Sequence, residues 1–246
     1  MLKNSLNVII IAIAVVISSY LFSNAFQNRN KSNDTISVTG SGKKDFVSDL
    51  IVWSGSFSKK SMTLKEAYAA LDADREKIKS YLSGKGIASN EMVFSAVNFN
   101  KDFETTFNEN GTTRQQIFTG FTLTQSVSIQ SKEVNKIEEL SRQSSELINS
   151  GVEFYSSPPE YYYTKLAELK IKMIAEATKD ASIRAKSIAE NADASLGNLK
   201  KSDMGVFQIT GQNSSEDFSY GGSFNTQSKN KTANITVRLV YQVNWF

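Results

Sequence analysis

The residue types that carry most nucleophilic, metal-binding and proton-transfer chemistry are missing from this chain, which contains no Cys and no His. Their absence excludes a disulfide scaffold, a Cys or Ser–His nucleophile, a haem held by His or Cys, and the usual zinc sites. We therefore predict no catalytic residue, no cofactor site and no metal site, and we expect the chain not to be an enzyme.

Carboxylate pairs remain as candidates for acid–base work, because two such groups are enough to hydrolyse a glycosidic bond. Three pairs are close in sequence: Asp72 with Asp74, Glu138 with Glu139, and Glu216 with Asp217. The first two pairs fall on the outward faces of predicted helices, and the third falls in a predicted loop. We expect all three to be solvated surface groups.

A glycine-rich motif and one further acid are also candidates for a functional site. The run Gly40-Ser41-Gly42-Lys43-Lys44 lacks the spacing of a phosphate-binding loop and no helix follows it, so it predicts a turn. Asp49 is in phase with the apolar residues of a predicted strand. This position indicates a structural role for Asp49, as a cap, as a partner of a backbone bulge, or as a partner of Lys43 or Lys44.

The chain begins with an apolar segment from Val8 to Phe22, and no charged residue lies between Asn4 and Gln27. A helix extended to Phe26 is about 28 Å long, close to the thickness of a bilayer core. Two interpretations stand: an uncleaved membrane anchor, or a signal peptide cleaved before Phe26. The predicted membrane segment contains Val8, Ile9, Ile10, Ile11, Ile13, Val15, Val16, Ile17, Leu21 and Phe22.

Three regions follow from this division. Residues 1–26 are the membrane anchor or signal peptide, residues 27–34 are a polar linker, and residues 35–246 are one folded body. Because the tail before the apolar segment is short, we expect the body to be exported. The net charge of +3 is too small to indicate nucleic-acid binding.

Apolar periodicity assigns the elements of the body. Alternation predicts strands at 35–40, 46–59, 92–103, 116–129, 152–155, 199–210 and 232–245. Three- and four-residue spacing predicts helices at 64–82, 132–149 and 164–193, the first of them opened by a capping box of Thr63 and Glu66. Polar loops are predicted at 105–113 and 211–231.

The fold class that this order favours is α+β, with antiparallel β-sheets and long helices on one face, preceded by a transmembrane helix. The order helix, glycine stop, strand, polar loop and long alternating strand occurs twice, which predicts a duplicated α-β-β unit. The longest helix is expected to bury a stripe rich in alanine. That stripe is Leu166, Leu169, Met173, Ala177, Ala181, Ala185, Ile188 and Ala192.

Aromatic residues in two places are candidate contact sites. Tyr161, Tyr162 and Tyr163 follow a Pro-Pro pair, and Phe218 and Tyr220 lie in the glycine-rich loop. The tyrosines either pack on the core at a strand-to-helix corner or form an exposed patch at a subunit contact, where tyrosine is enriched. Phe218 and Tyr220 have the same two interpretations: they pack on the core or form an exposed contact.

Two motifs resemble the SIMPL-domain family. One is the run Ala175–Gly197, with its regularly spaced alanines and final Leu-Gly. The other is Ile36–Gly42, followed by a strand containing Asp49. Ser48 stands where that family often has Pro. The resemblance covers Thr35 to Phe246.

The resemblance implies an exported, oligomerising protein of the bacterial cell envelope, linked loosely to oxidative stress, and it carries over no catalytic residue. We therefore expect a non-enzymatic, self-assembling domain in the inner membrane with its body in the periplasm, or a periplasmic one if the leader is cleaved. A binding or adaptor module for an envelope ligand or partner protein is the alternative.

Overall fold

Two β-sheets, each covered by its own helices, form the body of the protein. The computed structural model describes residues 2–31, 34–107, 111 and 113–245, with side chains described at 11–26, 34–107, 111 and 114–244. The α+β class with antiparallel sheets is confirmed, because every strand pair except one runs antiparallel.

Helix α1 spans Leu2–Lys31 and precedes both sheets. Its described side chains, at 11–26, are all exposed, including Ile13, Val16 and Phe22. The predicted membrane residues Val8, Ile9 and Ile10 have side chains outside the described set. Among the described residues, we find no helix that combines the length and the apolar character needed to cross a membrane.

Sheet A contains five strands and sheet B contains six. The strands of sheet A are β1 (Thr35–Val47), β8 (Ala194–Met204), β9 (Gln208–Gly211), β10 (Ser223–Phe224) and β11 (Asn230–Trp245). The strands of sheet B are β2 (Leu50–Ser61), β3 (Met92–Phe94), β4 (Asn98–Phe107), β5 (Thr113–Ser131), β6 (Phe154–Ser156) and β7 (Glu160–Tyr162). The helices of the body are α2 (Leu64–Gly84), α3 (Val134–Gln143), α4 (Glu146–Asn149) and α5 (Leu166–Asn191).

The glycines of β1 allow α5 to lie directly on sheet A. A Cβ atom at Gly40 would be 2.3 Å from the backbone oxygen of Ala177 and 2.3 Å from the backbone nitrogen of Ala181. The turn predicted at Gly40–Gly42 is therefore wrong, because these glycines lie inside the strand and serve close packing. The alanine stripe is confirmed from Met173 to Ala185.

Toward the end of α5 the buried position is Ala189, whereas the predicted Ile188 is half exposed. The buried face keeps a four-residue step from Met173 to Ala189, whereas the predicted stripe takes a three-residue step from Ala185 to Ile188 and so leaves that face. The predicted Ala192 is exposed for the same reason, since it continues from Ile188.

The single strand predicted at 46–59 is divided between the two sheets. Strand β1 ends at Val47, Ser48 and Asp49 form a link, and β2 begins at Leu50. The buried residues change phase at the link, from the even-numbered Val38 and Gly42 of β1 to the odd-numbered Ile51 and Trp53 of β2, and Val47, which was expected to share the phase of β2, is 55% exposed.

Sheet B encloses the larger core with α2 and α3. Trp53 and Phe57 of β2, Ile129 of β5 and Leu71 of α2 are all essentially inaccessible to solvent. The Thr63 half of the predicted capping box is confirmed, because its hydroxyl accepts the Glu66 N–H at 3.3 Å. Glu66 itself accepts a hydrogen bond from Ser61 at 2.7 Å.

Three other predicted elements are interrupted. The region 92–103 forms β3 and β4, the region 132–149 forms α3 and α4, and the region 199–210 forms β8 and β9. At the second break the buried Ser144 hydroxyl donates to the carbonyl of Ser141 at 2.7 Å, a local bond that competes with the helix. The predicted loop 211–231 contains the short strand β10.

The two sheets repeat one arrangement of elements. In sheet B the long strand β5 lies between β2 on one side and β3 and β4 on the other, under α2. In sheet A the long strand β11 lies between β1 on one side and β8 and β9 on the other, under α5. This is the arrangement that a duplicated α-β-β unit predicts.

Candidate functional site

The link between the sheets, Ser48–Asp49, is held by bonds to three other segments. The Asp49 carboxylate accepts the Thr164 N–H at 2.7 Å and the Thr164 hydroxyl at 2.6 Å, just before α5 begins. The Asp49 N–H donates to the carbonyl of Tyr162 at 3.0 Å. Asp49 therefore has the structural role expected of it, and its partner is Thr164.

Lys229 fastens the long loop to α3 beside this link. Its backbone carbonyl accepts the Ser48 N–H at 2.9 Å, and its ammonium donates to Asn135 at 2.6 Å and to Glu138 at 2.8 Å. The Lys229 ammonium lowers the pKa of Glu138 below its usual value. Burial, and then the neighbouring Glu138 carboxylate, raise the pKa of Tyr161.

An open cleft of about 670 Å³ lies where these segments meet. We call it the junction cleft. It is lined by Val47–Asp49 of the link, by residues 132–136 at the start of α3, and by Lys229. Ser48 is only 4% exposed, and its hydroxyl has no hydrogen-bond partner among the described residues.

Lys231 is a buried cation at the start of β11. It is 1% exposed, and its ammonium donates to the carbonyl of Ser228. Burial lowers the pKa of Lys231 to about 8, while the charge of Glu216 acts in the opposite direction. Lys231 thus holds the end of the 211–231 loop against sheet A.

The three candidate tyrosines lie at the corner between the sheets. Tyr161 is buried, whereas Tyr162 and Tyr163 are half-buried. The Tyr163 ring is 4.9 Å from that of Phe46, and the Tyr162 ring is 6.5 Å from that of Phe224. The corner therefore joins β7 of sheet B to residues of sheet A, and only Tyr162 and Tyr163 retain surface for an external contact.

The two loop candidates are both open to solvent. Phe218 is 63% exposed and Tyr220 is fully exposed. A second exposed apolar surface, which we call the hairpin face, lies on the β4–β5 hairpin and was not among the sequence-based candidates. It consists of Phe99, Phe103 and Phe107, each more than half exposed.

The carboxylate pairs do not converge on a common site. The prediction that Asp74 is solvated is wrong, because its side chain is 3% exposed and lies 3.0 Å from the Lys59 ammonium. Glu138 is bound to Lys229, and Glu216 accepts hydrogen bonds from Gly211 and Asn225. Among the described residues, no group of three or more acidic side chains is arranged to hold a metal ion.

A comparison with protein families identifies the body. The family model described as SIMPL, protein of unknown function (DUF541), matches residues 36–241. The chain belongs to the SIMPL family. No curated protein matches it.

The SIMPL-like motifs correspond to one contact in this structure. Gly40 and Gly42, at the end of the opening motif, lie against the helix that carries the spaced alanines. The charged edge of that helix also reaches β1, because Asp180 accepts the Ser41 N–H at 2.9 Å. Arg184 and this amide lower the pKa of Asp180. These motifs therefore account for packing, and the junction cleft lies apart from them.

Sequence reasoning missed both the groups that line the junction cleft and the buried Lys231 at the start of β11. The burial of Lys231 could have been predicted from the sequence, because Lys231 lies two residues before Ala233 and four before Ile235, on the same face of β11. Lys132 and Lys229 carried no such signal, since isolated lysines in polar segments are ordinary surface residues. Ser48 stood out only as a departure from the family's usual Pro.

Proposed function

We propose that this SIMPL-family chain is a non-enzymatic cell-envelope protein, anchored in the inner membrane by α1, whose periplasmic body assembles with copies of itself. The observation that carries the proposal is the exposure of α1. Its described side chains are apolar for most of 11–26 and contact no core of the body. Exposed apolar side chains such as Ile13, Val16 and Phe22 are more stable in an apolar environment than in water, and a bilayer supplies one.

Anchoring is tested by placing charges in α1. The double variant Ile13→Arg and Val16→Arg places two cations in the segment, each costing about 3 kcal/mol at the centre of a bilayer. We expect the wild-type chain to remain in the membrane pellet after alkaline extraction and this variant to shift to the soluble fraction. The matched control is Ile13→Leu with Val16→Leu. A wild-type chain that is soluble from the outset, or that begins at Phe26, contradicts the anchor.

Assembly is supported by the hairpin face. Strand β4 pairs only with β5 among the described strands, so the backbone groups along its other edge are open to pairing. The same strand carries three exposed phenylalanines, Phe99, Phe103 and Phe107. Open edges with exposed large apolar residues are templates for pairing with another chain. We place the contact between copies of the protein on this face.

The contact is tested by the double variant Phe99→Ser and Phe107→Ser in the detergent-extracted full chain. Light scattering should show a lower mass than for wild type. The matched control, Tyr68→Ser with Ile171→Ser, removes two exposed apolar side chains from helices α2 and α5 and should keep the wild-type mass. If both variants, or neither, change the mass, the hairpin face is not the contact.

The alternative, a binding module for an envelope ligand or partner protein, is favoured by one observation. Phe218 and Tyr220 are exposed in a loop whose base is fixed by Lys229 and Lys231. Replacing both aromatics by Ser should remove a partner captured from the envelope fraction while leaving the assembly mass unchanged. A role in protection against oxidative stress is part of the proposal that rests on the family resemblance alone.

A further inference from the structure

The strand register brings the ends of two elements together at the junction cleft. Ile51 of β2 pairs with Ser131 of β5, so the Ser48–Asp49 link that precedes β2 lies beside the residues that follow β5. Those residues lead directly into α3, which begins at Val134. The cleft is therefore fixed by the sheet and does not depend on an isolated loop.

Helix α3 begins at the cleft without a side-chain cap. The first bond of the helix runs from the Ile137 N–H to the carbonyl of Glu133 at 3.1 Å, and no side chain caps the terminus. The N–H groups of Val134, Asn135 and Lys136 precede that bond and are free donors by helix geometry. Such amides, with the positive end of the helix dipole, favour an anion.

Ser48 supplies an independent indication of a ligand. The residue is more than nine-tenths buried and is among those that line the same cleft, yet its buried hydroxyl bonds to no described group. A buried hydroxyl without a partner is unusual in a native protein and calls for a missing acceptor or donor.

The charged side chains at the cleft are equal in number, three acids and three lysines, and among the described residues Lys132 is the one without a partner. Of the acids, Asp49 is bound to Thr164, Glu133 lies 2.8 Å from Lys136, and Glu138 lies 2.8 Å from Lys229. Lys132 lines the cleft, is exposed, and forms no ion pair within the part of the chain that the structure describes. Among the described residues, the side chains of the lining that lack a partner, Lys132 and Ser48, can each donate a hydrogen bond, as can the first amides of α3.

We propose that the junction cleft binds a small oxyanion, either a phosphate or a carboxylate group, between Lys132, the Ser48 hydroxyl and the N-terminal amides of α3. Lys132 supplies the charge, and Ser48 and the amides supply directed hydrogen bonds. The cleft is larger than one such ion, so the anion belongs to a larger molecule whose remainder lies along Val47 and Lys229.

The test uses the ¹⁵N-labelled full chain in detergent micelles, titrated with inorganic phosphate, with acetate, and with chloride as the control at equal ionic strength. The amide signals of Val134, Asn135 and Lys136 should move to saturation with phosphate or acetate and not with chloride. The anion with the lower dissociation constant identifies the preferred group. Shifts that are absent, that do not saturate, or that chloride reproduces overturn the proposal.

Two variants and one control distinguish a specific oxyanion site from nonspecific attraction of anions to surface lysines. Lys132→Ala should weaken binding by about tenfold, the loss of one charge-assisted bond, and Ser48→Ala by several-fold. Lys179→Ala removes an exposed lysine on α5, distant in sequence from the cleft, and should leave the dissociation constant unchanged. An equal effect of Lys132→Ala and Lys179→Ala overturns the site, and unchanged signals elsewhere in the spectrum show that each variant is folded.

Discussion

At the scale of single residues, β1 and α5 approach each other backbone to backbone at Gly40. Gly40 has no side chain, and the backbone of Ala177 and Ala181 occupies the space that a Cβ would need. Because the obstructing atoms belong to a helix backbone, they cannot move aside as a flexible side chain would. Gly40 is therefore fixed by packing and not by the freedom of glycine to turn.

Replacing Gly40 by Ala should lower the free energy of unfolding by about 2–3 kcal/mol, because the added methyl group forces α5 away from the sheet. Urea unfolding of the full chain in micelles measures the change. Gly84→Ala is the matched control, since nothing lies within 4 Å of its Cβ position at the end of α2. Equal stability of the two variants would show that α5 does not rest on β1 as described.

Lys231 makes the stability of sheet A depend on pH. Its pKa is about 8 in the folded chain, against an ordinary value of 10.5 that applies after unfolding. Between these values the unfolded chain binds more protons than the folded chain, so the free energy of unfolding rises as the pH increases. Below about pH 8 the buried ammonium is charged, so the free energy of unfolding is lowered by the full cost of burying that charge.

We expect the wild-type chain to be more stable at pH 9.5 than at pH 7, and Lys231→Met to lose most of that difference. Urea unfolding of both proteins at the two pH values measures it. Lys179→Met, at an exposed position on α5, should retain the wild-type dependence. A wild-type stability that falls over this range would show that Lys231 is not buried as a charged group.

At the scale of elements, a buried carboxylate fixes α2 to sheet B. Asp74 on α2 lies 3.0 Å from Lys59 of β2 and 3.4 Å from Lys77 of its own helix. Lys77 also donates to the carbonyl of Ser150 at 3.1 Å, which connects the network to the turn after α4. The two partners of Asp74 are partly exposed, whereas Asp74 is not, so the network is asymmetric.

Because Asp74 is buried and Lys59 is partly exposed, replacing Lys59 should lower the free energy of unfolding more than replacing Asp74. Lys59→Met removes the nearer of the two cations beside the buried Asp74 carboxylate and should cost about 2–3 kcal/mol, whereas Asp74→Asn removes the buried charge itself, lets Lys59 extend into water and should cost about 1 kcal/mol or less. Thermal unfolding of the two variants gives the comparison. Lys186→Met, which breaks an exposed pair with Glu190 on α5, should change nothing measurable. A larger loss for Asp74→Asn than for Lys59→Met would reverse this account.

The elements differ in how far the sequence could predict them. Strand β11 was predictable because Ala233, Ile235 and Val237 alternate strictly with polar residues and all are buried. The link at Ser48–Asp49 was missed because the apolar Val47 shares the sequence phase of Ile51 although it is exposed, and because the link is held by tertiary bonds to Thr164 and Lys229. The junction cleft could not be predicted for the same reason, since its lining comes from three segments that no local pattern connects.

At the scale of the whole molecule, two similar α/β layers are joined at one corner and preceded by an exposed apolar helix. The layers are fixed to each other by Asp49, by Lys229 and by the tyrosine corner of residues 161–163. The surfaces left open are α1, the hairpin face and the loop with Phe218 and Tyr220. The proposed anchor and contact between copies use α1 and the hairpin face, whereas the loop with Phe218 and Tyr220 is the surface on which the alternative, a binding module, depends.

Native mass spectrometry of the full chain, extracted from membranes in mild detergent, tests this central claim most directly. The account predicts an integer multiple, greater than one, of the intact 27.3 kDa chain, because both α1 and the contact between copies are retained. A single 27.3 kDa chain at every micromolar concentration would contradict assembly. A subunit mass that corresponds to a start at Phe26 would contradict the anchor.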